Sequence, residues 1–355
     1  MQTISKRTIP FMALLLSLLF IVACTTASPT SVPTEQTINT PAVPTLEQPT
    51  ATSLPTEIPL PADTQAPSAT PPSVTPPPSG GSDVIVFGSN REGDYTNIYL
   101  LNTMDGSVTR LTMNDSHTFP GPFSPNGSLL LFTGFGLTHS YVGVMNADAS
   151  NVKDLSQRPD TDEGFPTWAP DGLQIAFTSR MDGNNEIYTM NVDGTNVKRI
   201  THNPSDDFTP AWSPDGNQIA FVSDRDNPTG VNNLYLMNVD GSGVVRLTNG
   251  DEIDYGPAWS PDGKQIAFRA DVDGNGDIYV INADGSGRVN LTNDPASDWA
   301  PAWSPDGTWI AFQTNRDGNW EIYIMHSDGS QPTNLTKNPS DDQMPYWKPL
   351  VTSTD

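Results

Sequence analysis

The sequence predicts an all-β fold, a six-bladed β-propeller of four-stranded antiparallel blades, and three observations predict it. First, the stretch Pro257-Ala258-Trp259-Ser260-Pro261-Asp262-Gly263 has close copies at 166–172, 210–216 and 301–307 and weaker ones at 122–127 and 345–349. The prolines that mark it, Pro125, Pro170, Pro214, Pro261, Pro305 and Pro349, follow one another at steps of 45, 44, 47, 44 and 44 residues. A fixed period of that size is the signature of a blade repeated around an axis. Second, tight turns divide each period into four short strand-like runs. Third, the runs at the two ends are complementary. Runs at 83–87, 97–101 and 109–112 match the second, third and fourth strands of a blade, and the solitary run at 344–349 matches the missing first. Joining the ends completes a sixth blade and removes the sheet edges that an open array would expose.

Taken in order, the chain begins with Lys6 and Arg7 before an apolar run, Phe11 to Val22, too short to span a bilayer. Residues 1–23 read as a signal peptide. It ends in Ile21-Val22-Ala23-Cys24, which resembles the lipobox of bacterial lipoproteins, and Cys24 is the sole cysteine. Lipidation of Cys24 is expected, which would hold the protein to a membrane by its lipid alone, and no disulfide framework exists. Residues 24–82 form the next segment, rich in Pro, Thr, Ser and Ala and without Lys or Arg. Too little apolar surface is present to offset ordering entropy, so a disordered, partly polyproline-like spacer is expected, with hydroxyls open to glycosylation.

The propeller is expected over 83–350, followed by a short tail, 351–355. Within one period, Ser213-Pro214-Asp215-Gly216 turns the tryptophan strand back into Gln218 to Ser223: proline presets φ and glycine takes the positive φ. Asn233 to Asn238 is the third run, and Asp240-Gly241 connects it to Val245 to Thr248. The recurring Ile-Ala-Phe at 175–177, 219–221, 266–268 and 310–312 is apolar on both faces. That is what a sheet packed between two neighbours requires. The longest interval carries its extra residues in 227–233, a loop.

These motifs, Pro-x-Trp-Ser-Pro-Asp-Gly, Ile-Ala-Phe, Glu-Ile-Tyr-x-Met-Asn, Asp-Gly-Ser and Arg-Leu-Thr, resemble the TolB-type propeller repeats of bacterial envelope proteins over residues 83–349. The resemblance implies an extracytoplasmic propeller that presents one face to partner proteins. TolB itself resembles an N-terminal α/β domain followed by a propeller, and here the lipid anchor and spacer stand in that domain's place.

The formal charge of −24 excludes nucleic acid as a partner, because its phosphates would be repelled. The connections from fourth strand to next first strand concentrate the acid: Asp162 and Glu163, Asp206 and Asp207, Asp254, Asp298, and Asp341 and Asp342. Six such loops emerge on one face with the second-to-third strand hairpins. An acidic ring around one mouth is therefore expected as a docking face for a basic envelope or secreted protein, solubility and turn capping being the bland alternative. Arg91, Arg225 and Arg316 share a hairpin register and are expected to pair with it.

Asp271, Asp273, Asn275 and Asp277 have the spacing of a calcium loop, but the twelfth position is Asn282 and Asp273 aligns with Asp182, Asp226 and Asp317. A hairpin acid satisfying backbone donors is the preferred reading. The once-per-period Trp168, Trp212, Trp259, Trp303 and Trp347 are read as inter-blade packing, and Trp299 and Trp320, outside that register, as exposed contact residues. The four histidines share no ligand spacing, and no Gly-x-Ser-x-Gly elbow is present. One blade is irregular, with Phe123, Asn126 and Gly134-Phe135-Gly136 breaking the pattern. A non-catalytic monomeric scaffold needing no cofactor is expected; a glycan-active hydrolase or lyase using loop carboxylates is the alternative.

Overall fold

The computed structural model describes residues 83–350, except 157–159, 228–229 and 273. The signal peptide, Cys24, the spacer and the tail lie outside the described residues, as does Asp273.

Twenty-four strands form six four-stranded sheets with every pairing antiparallel, and no helix occurs among the described residues. Blade 1 is β24 (Asp342–Trp347), β1 (Val84–Ser89), β2 (Asn97–Asn102) and β3 (Val108–Arg110). Blade 2 is β4 to β7 (Thr118–Phe123, Leu129–Phe135, Ser140–Asn146, Lys153–Asp154), and blade 3 is β8 to β11 (Glu163–Trp168, Gln174–Ser179, Glu186–Asn191, Lys198–Arg199). Blade 4 is β12 to β15 (Asp207–Trp212, Gln218–Ser223, Asn233–Asn238, Val245–Arg246), and blade 5 is β16 to β19 (Ile253–Trp259, Gln265–Val272, Asn275–Asn282, Val289–Asn290). Blade 6 is β20 to β23 (Asp298–Trp303, Trp309–Thr314, Glu321–His326, Thr333–Asn334).

The ring closes as the strand count predicts. β24 pairs with β1 through Ile85↔Trp347, Val86↔Tyr346, Gly88↔Gln343 and Ser89↔Asp342, and the Lys348 amide donates to the Val84 carbonyl at 2.9 Å.

The turn chemistry fixes the first hairpin of a blade. Ser213 Oγ donates to Asp215 Oδ1 at 2.6 Å and accepts from the Gln218 amide at 2.9 Å, while Gly216 takes φ 77. The second strand follows, wholly buried at Ile219, Ala220, Phe221 and Val222 because neighbouring blades cover both its faces.

Tryptophan ties one blade to the next. Trp168, Trp259, Trp303 and Trp347 donate from Nε1 to the carbonyls of Pro122, Ala211, Ala258 and Ala302, each on the first strand of the preceding blade. Trp212 differs and donates to Gly216 in its own turn. Blade 2 has Phe123 at this position, a ring with no donor.

The first strand of each blade also carries a bulge that the sequence does not announce. Phe165, Thr209, Gly256, Ala300 and Met344 take positive φ two residues into the strand, where the register shifts. For a residue with a Cβ this costs about 1–2 kcal/mol. Some of the strain is offset from the preceding blade, where the Thr209 amide bonds Thr178 Oγ1 at 3.1 Å and the Met344 amide bonds Gln313 Oε1 at 2.8 Å.

Candidate functional site

First strands begin, second strands end and third strands begin at one rim, as the pairings Glu163↔Ser179 and Ser179↔Glu186 show. The fourth-to-first connections and the second-to-third hairpins therefore share a face, as expected. The structure does not, however, place the eight acidic residues together on its surface.

Glu163, Asp207, Asp254, Asp298 and Asp342, the opening residues of the first strands or next to them, are 0 to 1% exposed. A carboxylate sealed from water must be paired or neutralised. Three are paired in the way the arginine register predicts: Arg91 Nη2 lies 2.9 Å from Asp342, Arg225 Nη2 2.8 Å from Asp207 and Arg316 Nη2 3.1 Å from Asp298. Each of these guanidinium groups also stacks on its blade's Phe–Tyr pair, Arg225 at 4.9 Å from the Phe221 ring and 5.1 Å from Tyr235. Blade 5 lacks that hairpin arginine, and Arg288 from the other side reaches the equivalent pair, 4.6 Å from the Tyr279 ring and 5.7 Å from Phe268.

Asp162, Asp206 and Asp341 are half-buried and join blades. Their Oδ1 atoms accept from the amides of Ser140 at 2.9 Å, Asn185 at 2.8 Å and Trp320 at 3.1 Å, each at the start of the preceding blade's third strand. His117 takes this place in blade 2, with Nδ1 accepting from the Thr96 amide at 3.1 Å. That bond requires the neutral ring, and burial holds the His117 pKa down in agreement.

Burial pushes the Asp254 carboxyl up to about 6, opposed by the Thr248 hydroxyl and the Arg288 charge, and pushes Asp298 up to about 6 against hydrogen bonds from Thr314 and Thr292 and the charge of Arg316. Asp254 Oδ1 and Asp298 Oδ2 find no hydrogen-bond partner. Burial likewise raises Glu186 and Glu321, with adjacent Asp207 and Asp342 adding repulsion.

The hairpin acids serve tyrosines rather than backbone donors. Asp182 accepts from the Tyr188 hydroxyl at 2.6 Å, Asp226 from Tyr235 at 2.8 Å, and Asp317 from Tyr323. The sequence repeats both partners of each pair. Register alone does not show that they meet.

Within the calcium-like spacing, Asp271 and Asp277 have protein partners. Arg269 Nη2 lies 2.9 Å from Asp271 Oδ2, and Asp277 accepts from Asn290 at 2.8 Å and from Asn275 at 3.3 Å. Among the described residues, no group of three or more His, Cys, Asp or Glu side chains could hold a metal ion. Arg269 itself, 5% exposed, lies 3.6 Å over the Trp299 ring, and Gly276 leaves room for it, since a Cβ there would come within 2.1 Å of Nε. An arginine immediately after Ile266-Ala267-Phe268 was the signal that a buried partner was needed. Trp299 is consequently half-buried, and Trp320, expected to be exposed, is 6% exposed because the blade 6 hairpin folds it inward.

The model of the TolB beta propeller domain matches residues 123–255 and 226–294. No curated protein matches the chain. Among solved structures the fold is similar to TolB from Acinetobacter baumannii, at 22% identity and TM-score 0.65, covering 76% of this chain and 67% of that one. It is similar also to a putative TolB from Agrobacterium tumefaciens, at 20% identity and TM-score 0.57, covering 76% of this chain and 99% of that one. Hydrazine synthase of Kuenenia stuttgartiensis shares the fold at 18% identity and TM-score 0.60, covering 78% of this chain and 48% of that one. These likenesses concern fold: the chain carries a six-bladed β-propeller whose repeats over 123–294 match the model of the TolB beta propeller domain.

Proposed function

We propose that this chain is a lipid-anchored, extracytoplasmic scaffold that binds other envelope or secreted proteins non-catalytically through its hairpin rim. One observation supports the reading most. The rim's cations are folded in and its anions face out: Arg91, Arg225 and Arg316 side chains are 18 to 20% exposed and engaged with buried carboxylates, whereas the Glu92 and Asp182 side chains, each paired with an arginine of its blade's fourth strand (Arg110 and Arg199), are still 55% and 49% exposed. Asp226 and Asp317 are exposed as well. A face so arranged attracts a basic partner and speeds its encounter. Of the eight acidic residues expected to form the ring, Asp162, Asp206 and Asp341 remain within reach of a partner.

The test uses the full chain, immobilised and exposed to envelope protein. Recovery should fall as salt rises, and should fall several-fold when Asp162, Asp206 and Asp341 are changed together to Asn. Equal recovery removes the acidic face from the reading. The anchor is tested separately: Cys24→Ser should move the protein out of the membrane fraction.

A glycan-active hydrolase or lyase is the second reading. What favours it is the pair of carboxyls raised to about 6, Asp254 and Asp298, a range suited to a general acid. Both are sealed from solvent, so a substrate could reach them only if the rim opened. Turnover of a polysaccharide that disappears in Asp298→Asn, with the fold retained, would carry this reading over the first.

A further inference from the structure

Blade 2 departs from the rim pattern in a concerted way. In blades 1, 4 and 6 the rim positions hold a carboxylate, a hydroxyl and a hairpin arginine: Asp342, Ser89 and Arg91 in blade 1, Asp207, Ser223 and Arg225 in blade 4; blade 3 keeps Glu163 and Ser179, with its arginine one position earlier at Arg180. In blade 2 the same positions hold Thr118 opposite Gly134, and its hairpin has no arginine.

Aromatic rings stand where that polar network would be. Tyr95 meets His117 edge-on at 5.5 Å, His117 lies parallel to Phe119 at 6.2 Å, and Phe119 meets Phe135 edge-on at 5.7 Å. The row crosses from the blade 1 hairpin to the blade 2 hairpin. Gly134 is required beneath it, since a Cβ there would come within 2.3 Å of the Tyr141 ring.

Exposed apolar side chains lie in the loops that carry the row. Leu137, two residues beyond Phe135, is 104% exposed, Met113 is 81% exposed and Tyr95 43%. Among the described residues, other large exposed hydrophobics, such as Leu173, Val289 and the adjacent Val244 and Val245, lie in first turns or at outer strands. Those on the hairpin rim all belong to blades 1 and 2. Clustered exposed apolar side chains with a polar border mark interaction sites, whereas single ones need no explanation.

The border is mainly acidic, with Arg110 paired to Glu92 at 2.8 Å. Glu92, Asp94 and Asp115 are exposed beside Tyr95 and Met113, and half-buried Asp162 flanks the blade 2 hairpin. His117, bound through Nδ1 to the Thr96 amide, is neutral and adds no positive charge there.

We infer that the seam of blades 1 and 2 docks a protein segment presenting an aliphatic or aromatic side chain between lysines or arginines. The apolar anchor lies on Tyr95, Met113 and Leu137, and the flanking cations meet the acidic border. This rests on the scaffold reading above and assigns its energetic centre, because a few buried apolar contacts carry most of the free energy of an interface while border charges contribute mainly to rate.

The experiment measures anisotropy of a labelled peptide, Lys-Lys-Trp-Leu-Lys-Lys, on the full chain, with Glu-Glu-Trp-Leu-Glu-Glu as control. Three variants are compared: Leu137→Ser with Met113→Ser; Asp94, Asp115 and Asp162 all to Asn; and both sets together. Leu137 and Met113 project into solvent, so their replacement leaves the fold intact. The basic peptide should bind and the acidic one should not. The apolar double variant should weaken binding about tenfold or more with its salt dependence unchanged, whereas the Asn variant should reduce binding mainly at low salt. Full binding by the double variant overturns the seam, and if the Asn variant alone then loses binding, the acidic face survives without it. Binding of neither peptide, or of both equally, overturns the proposed partner chemistry. Dimers of the chain that dissociate in Leu137→Ser would assign the seam to a second copy and overturn the proposal too.

Discussion

Trp347 illustrates what a repeated residue contributes singly. Its indole is 7% exposed and its Nε1 donates to the Ala302 carbonyl at 3.2 Å, tying blade 1 to blade 6. Trp347→Phe keeps most of the packing and removes the donor, so a loss of about 1 kcal/mol in urea unfolding is expected. Trp347→Ala should cost about 3–5 kcal/mol; a similar loss for both variants would mean that the hydrogen bond, not the ring, is what matters. The buried acids make a second prediction. Asp254 and Asp298 have ordinary pKa values of 3.8 and are raised to about 6 by burial, so between those values the folded chain binds more protons than the unfolded one. Their stabilising effect is complete below pH 4 and is lost as pH rises through 6, on the order of 3 kcal/mol for each. Unfolding at pH 4.5, 5.5 and 7 should show the decline from these groups, and Asp254→Asn should flatten it. Identity at these positions was legible in the sequence. Burial was not, because alternation along one strand cannot show what the neighbouring blade covers.

Within a blade, the unit that recurs is a guanidinium held between a buried carboxylate and a Phe–Tyr pair. Arg225 is the clearest case, bonded to Asp207 and stacked on Phe221 and Tyr235. Arg225→Met leaves Asp207 uncompensated inside the blade and should destabilise by about 3–5 kcal/mol, while Arg225→Met with Asp207→Leu should recover most of the loss, as replacement of a whole buried pair often does. Urea midpoints of the two variants check it, and equal destabilisation would show that stacking dominates. The pairing was readable from register alone, since arginine and aspartate recur at fixed offsets in blades 1, 4 and 6. Blade 5 was not readable in this way. Its arginine comes from position 288, on the opposite side of the third strand, and only the shared Phe268–Tyr279 target reveals the equivalence. The calcium-like spacing also holds a partner that spacing does not show: Arg269, two residues before Asp271, meets that carboxylate in space.

At the scale of the molecule, closure was the most legible property and the proposed docking face the least. Strand counting placed the orphan first strand in blade 1, and β24 pairs there with β1. The face depended on which of many aspartates turn inward, a decision made by neighbouring blades and by arginines far away in sequence, such as Arg91 and Asp342. The bond from the Lys348 amide to the Val84 carbonyl has one more consequence. Entry and exit of the domain are side by side, so the ring has no obligatory first residue. A circular permutant that starts at residue 117, runs to 349, passes through a short glycine linker to 83 and stops at 116 would build every blade from contiguous chain. It should unfold cooperatively at a midpoint close to that of the parent, with the same near-ultraviolet circular dichroism. A permutant that fails to fold would show that order of synthesis, rather than closure, is the property the shared blade protects.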